Sequence, residues 1–98
     1  MFTIRRLPEF DEWIAGIRDP VTQKRLLLRL CKAQMGNFGD VKAIGEGVFE
    51  MREFFGPGWL MYYAKRGDVL ILMLGGGDKS SQSADIKAVL QRAQRIVE

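Results

Sequence analysis

The spacing of apolar residues changes several times along the chain, and each change marks a different element. Residues 2–6 form a short segment that stops before Pro8, which reads as a strand followed by a helix with proline in its first turn. Phe10, Trp13, Ile14 and Ile17 then recur at i, i+3, i+4 and i+7, the spacing of one apolar helix face. Asp19 and Pro20 supply an N-cap and an N1 proline for a second helix. On that helix Val21, Leu27, Leu28, Leu30 and Cys31 make the apolar side, while Lys24, Arg25, Arg29 and Lys32 stay solvated. The pair predicts a helical hairpin.

Gly36, Gly39, Gly45 and Gly47 break up the next stretch, after which residues 48–55 alternate in the manner of a strand. Phe49, Met51 and Phe55 fall on one face and Glu50, Arg52 and Phe54 on the other, so the charged pair is expected opposite the core. Gly56, Pro57 and Gly58 turn the chain into a strand over 59–65, and Arg66, Gly67 and Asp68 turn it again into a third over 69–74. These three strands predict an antiparallel meander. The last of them, VLILML, is apolar on both faces and is expected to be central and doubly covered. Ser81 or Ser83 caps a C-terminal helix that buries Ile86, Val89, Leu90, Ala93, Ile96 and Val97. The order predicts an α+β domain: an N-terminal helical hairpin on one side of a twisted antiparallel sheet of about four strands, a C-terminal helix, and a sheet face left partly open.

Length adds that all 98 residues, 47% of them hydrophobic, make a single domain over 1–98, with no repeat or linker to divide it. The net charge of +3 favours an acidic or polyanionic partner over a basic one, and ordinary solvated surface charge explains it equally well. The absence of histidine and the single cysteine have a sharper consequence. They remove the usual zinc sites and the His-based acid/base schemes, so no metal or other cofactor is expected, and catalysis would fall to Arg, Lys, Tyr, Asp or Glu. Cys31 reads as a small buried hydrophobe, consistent with a reducing cytoplasm. Arg5 and Arg6 precede no apolar stretch, and no run approaches the roughly 18 apolar residues of a membrane span. A cytoplasmic protein without membrane contact is expected.

The segment LGGGDKSSQ, residues 74–82, follows a strand and precedes a helix, as phosphate-cradling loops do. Its spacing excludes the P-loop. With lysine at 79 that motif needs glycine at 73 and 78, where this chain has Met73 and Asp78. Two readings stay open for the three glycines: release of the chain from strand into helix, or backbone contact with a phosphate.

The succession FGDVKAIGEGVFEMR, GPGWLMYY and LMLGGGDKSSQSADI resembles the phage-related addiction-module killer proteins, the HigB-like toxins of the RelE/ParE superfamily, over nearly the whole chain. The resemblance implies the RelE/ParE fold and a toxin of a type II toxin-antitoxin system. Many relatives of this type are ribosome-dependent endoribonucleases (mRNA interferases) that need no metal. It further implies phosphate binding and charge stabilisation by Arg52, Lys42 and Lys79, with Asp78 or Glu50 orienting a cation or moving a proton, and with Tyr62 or Tyr63 stacking on a base. From the residues alone, Arg52 could instead pair with Glu50 or Glu53, and the two lysines could be solvated. Tyr62 and Tyr63 point to opposite faces, so the exposed one is the candidate.

One position departs from the family. After its GPG turn the family usually reads an aromatic residue and then arginine, where this chain has Trp59 and Leu60. Without that cation the chain is expected to be a weakened nuclease, to cleave with other residues, or to act without cleavage, either as a ParE-like inhibitor of DNA gyrase or as an antitoxin-binding co-repressor. The implied partners are a cognate antitoxin, often a helix-turn-helix protein, mRNA on the ribosome, and operator DNA reached through the antitoxin.

Overall fold

A computed structural model describes residues 1–96; Val97, assigned above to the last helix, lies outside them. Strand β1 (Thr3–Arg6) leads into helices α1 (Pro8–Ala15) and α2 (Pro20–Gln34). Strands β2 (Val41–Gly45), β3 (Val48–Glu53), β4 (Trp59–Arg66) and β5 (Leu70–Asp78) follow, then a 3-10 turn (Lys79–Ser81) and helix α3 (Gln82–Gln94). Both N-terminal helices open on proline at their first turn. The Asp19 carboxylate caps α2, accepting from the Val21 amide at 3.2 Å and the Thr22 hydroxyl at 2.8 Å.

The chain is α+β, but its sheet has five strands and is mixed. The order is β1-β5-β4-β3-β2; β2 to β5 run antiparallel, and β1 lies parallel to β5. Two features lie behind the difference from an antiparallel sheet of about four. Glu46 and Gly47 both take positive φ, 54° and 75°, and close a two-residue turn that folds the glycine-punctuated stretch back as edge strand β2. At the other edge, the chain start pairs Thr3–Arg6 with Leu70–Met73, which fixes β1 alongside apolar β5.

A core lies on each face of the sheet. Phe10 and Ile14 of α1 and Leu26, Leu30 and Ala33 of α2 pack on Met51, Met61, Tyr63, Ile71 and Met73. On the opposite face Val89 and Ala93 of α3 pack on Val48, Leu60, Tyr62, Ala64, Leu72 and Leu74. The helices therefore cover both faces, which corrects the one-sided packing read from the sequence. The cause is visible in the strands: residues 60–64 and 71–74 are buried without interruption, so neither face can be left to water.

Helix α2 is also rotated from its expected orientation. Thr22, Leu26, Leu30 and Ala33 face inward, while Val21 and Leu28 are 65% and 53% exposed and Cys31 is exposed rather than buried. The i, i+4 and i+7 spacing of Leu26, Leu30 and Ala33 sets the inward face, and Arg29 is drawn in beside it, as shown below.

The three glycines lie inside β5, neither in a loop nor at its exit. A Cβ at Gly76 would run into the Trp13 ring of α1, and one at Gly77 into Asp85 and Ser81 at the start of α3. Glycine here lets a helix close in on each side of one strand. No helix among the described residues is long and apolar enough to cross a membrane.

Candidate functional site

Where β3 ends, Phe54 stands with 70% of its surface exposed. Two cations reach it. The Arg52 guanidinium carbon lies 5.9 Å from the Phe54 ring centroid and Lys79 Nζ lies 5.7 Å from it. Arg52 points to the α3 side of the sheet by strand alternation, and Asp40 steadies it with two contacts. The Arg52 amide donates to the Asp40 carbonyl at 3.0 Å, and Arg52 Nη2 pairs with Asp40 Oδ1 at 3.0 Å. The bond to Asp40 raises the Arg52 pKa further, so its charge is permanent.

Lys79 arrives from the far end of β5. Its amide donates to the Gly58 carbonyl at 3.1 Å, and its methylenes run over Gly58, where a Cβ would come within 3.0 Å of Lys79 Cγ. The GPG turn therefore makes room for the lysine side chain. Asp78 caps the following turn, accepting from the Ser80 amide at 2.8 Å and the Ser80 hydroxyl at 2.5 Å. The hydroxyl bond, then the amide bond, holds its pKa below the usual carboxylate value. Asp78 thus fixes the turn that carries Lys79.

Arg29, expected to stay solvated, is turned inward. Its side chain is only 11% exposed and pairs with Glu53. It also donates to the carbonyls of Phe38 at 2.9 Å, Asp40 at 2.8 Å and Arg52 at 2.8 Å. One guanidinium thereby ties α2 to the loop before β2 and to the end of β3. Arg29, Asp40, Arg52 and Phe54 line a common surface hollow. Phe54 carried a readable signal, an aromatic on the outward side of an alternating strand beside an arginine. Asp40 and Arg29 carried none, because their roles arise from contacts between elements distant in sequence.

The remaining candidates sit elsewhere. Glu50 is 1% exposed beneath α3, where it accepts from Gln82 Nε2 at 3.1 Å, so the charged face opposite the first core is itself a core. Tyr62, its cross-strand neighbour, is fully buried, and its hydroxyl has no partner among the described residues. Burial, then Glu50 and Asp85, raises its pKa far above the ordinary phenol value. Tyr63 lies on the opposite face, stacked between Phe38 and Phe49 at 5.7 Å and 5.3 Å, and burial pushes its pKa up to about 12. Both tyrosines are closed to a base, and Phe54 is the open ring. Leu60 is 2% exposed in the α3 core, in register with Arg52 and Gly77. Lys42 is exposed on edge strand β2 in register with Glu50, and it takes no part in the contacts around Phe54.

Fold and site together define a small two-core α+β protein with an open aromatic ring beside an arginine and a lysine. Its sequence is 37% identical over 87 residues to an uncharacterized protein of Haemophilus influenzae, a match covering 89% of this chain and 88% of that protein, and the chain belongs to the same family. No family model matches the chain. No solved structure matches it.

Proposed function

We propose that the chain is the toxin of a type II toxin-antitoxin pair, of the HigB-like branch and fold of the RelE/ParE superfamily, and that it cuts mRNA on the ribosome. The motif resemblance supports the family reading. The observation that carries the chemistry is the exposed Phe54 ring with Arg52 and Lys79 within 6 Å. A single-stranded RNA base stacks on such a ring while the cations hold the neighbouring phosphate. The ribose 2′-oxygen, losing its proton to water, then attacks the adjacent phosphorus. The bond to the 5′-oxygen breaks, leaving a 2′,3′-cyclic phosphate and a 5′-hydroxyl that takes up a proton. Arg52 and Lys79 stabilise the extra charge on the phosphoryl oxygens, a contribution worth ~10²–10³ in rate for one well-placed donor. Glu50 and Asp78 are already engaged and assist only by holding the frame. The partner that neutralises the toxin is a cognate antitoxin, a helix-turn-helix protein that also carries the complex to operator DNA.

Inducing the gene in growing cells and mapping transcript 5′ ends tests this reading. New cuts confined to translated regions are expected, and intact messages during growth arrest would overturn it. A second reading, inhibition of DNA gyrase or antitoxin-bound co-repression without cleavage, draws on Leu60 being a core side chain and on the engaged carboxylates. Loss of supercoiling activity in purified gyrase with messages intact would select the gyrase form. No growth defect on induction, together with a tight antitoxin complex, would select the co-repressor.

A further inference from the structure

Helix α2 turns a second, mainly apolar stripe outward, away from both cores. Val21, Lys24, Leu28, Cys31 and Met35 follow one another at spacings of three, four, three and four, the a and d positions of a heptad seam. Every one of them is exposed, Val21 at 65%, Leu28 at 53% and the C-cap residue Met35 at 68%. A helix that already buries its other face in the core has no folding reason for this second seam. Charge then specifies what covers it. The helix has four cations and no acid, in the sequence PVTQKRLLLRLCKAQ. Arg25 and Lys32 occupy the two e positions that flank the seam, where charge pairing selects coiled-coil partners. Lys24 and Lys32 form no ion pair among the described residues. Glu53 borders the same flank but is held by Arg29.

We propose that the outer face of α2 docks an acidic amphipathic helix of a partner protein, seated on Val21, Leu28 and Met35 with its carboxylates against Arg25 and Lys32. Two other occupants fit less well. A second copy of this chain would bring the same acid-free helix, with no carboxylate to meet Arg25 or Lys32 across the seam. An anionic membrane asks for a broad apolar face, whereas here Val21, Leu28 and Met35 make a narrow line interrupted by Lys24. The proposal is independent of the RNA reading, since it uses none of the Phe54 group.

The test uses a fluorescent three-heptad peptide with leucine at a and d and glutamate at e and g, kept monomeric by its own charge. A control peptide carries lysine at e and g. Micromolar binding of the acidic peptide to the full chain is expected, at least ~10-fold tighter than the basic one. Leu28→Asp, which alters an exposed side chain, should abolish binding with the unfolding midpoint unchanged, and Lys32→Glu should exchange the peptide preference. Equal binding of the two peptides, or unchanged binding by Leu28→Asp, would overturn the proposal. So would Leu28-dependent capture by phosphatidylglycerol vesicles without peptide binding, or a concentration-dependent dimer that Leu28→Asp dissolves.

Discussion

Arg29 donates to the carbonyls of Phe38, Asp40 and Arg52 and pairs with Glu53, so one side chain fixes the approach to β2 and the end of β3 at once. Removing it strands a largely buried carboxylate and three acceptors. Arg29→Ala is expected to lower stability by roughly 3 kcal/mol or more in urea unfolding. Arg29→Lys restores the charge without the fork and should recover only part of that loss. The capping aspartates act at the same scale. Asp19, bonded first to the Thr22 hydroxyl and then to the Val21 amide, has its pKa lowered, as does Asp78 through Ser80. A lowered folded-state pKa means stability that is present above the unfolded aspartate value of about 3.9 and is lost as pH falls through the folded value. A thermal unfolding series from neutral pH downward should show the midpoint dropping below about pH 4. The Asp19→Ala, Asp78→Ala double variant should start lower and drop less, and parallel acid limbs in the two proteins would contradict the capping role.

At the scale of elements, Leu60 shows how a motif of the resembled family and a packing position can conflict. The missing arginine made Leu60 look like a lesion in a site, yet the side chain fills the α3 core beside Gly77 and across from Arg52. Leu60→Arg would place two guanidinium groups side by side with one of them buried, at a cost of roughly 3 kcal/mol or more. Destabilisation with no gain in RNA cleavage is expected from urea unfolding and cleavage assays run together. A folded variant with much higher cleavage would move the site onto β4. Much of this level was legible in the chain. Pro8, Asp19 and Pro20 mark the helix starts, and the strands read over 48–55 and 59–65 begin at the observed residues, Val48 and Trp59. β2 was hidden because its turn uses a non-glycine residue, Glu46, at positive φ. The glycine run was misread because close approach by Trp13 and Asp85 leaves the same composition as a flexible exit. The inward turn of Arg29 was hidden because its partners lie between 9 and 24 residues away.

The whole molecule buries both faces of its sheet, α1 and α2 on one and α3 on the other, and leaves a single aromatic open beside Arg52 and Lys79 at one end of β3. Candidate tyrosines and carboxylates went into cores and caps, so in the proposed nuclease binding and charge stabilisation would fall to a few surface groups. On the proposed reading, catalysis should depend steeply on Arg52 and Lys79, and binding on Phe54, while folding should depend on none of them. The most direct measurement is mRNA cleavage in a reconstituted translation system, with the unmodified chain beside Phe54→Ala, Arg52→Ala and Lys79→Ala. Cleavage that requires ribosomes, falls by ~10²–10³ without either cation and weakens without the ring is the expected result. Messages left intact by the unmodified chain, or cut equally by all four folded proteins, would contradict it.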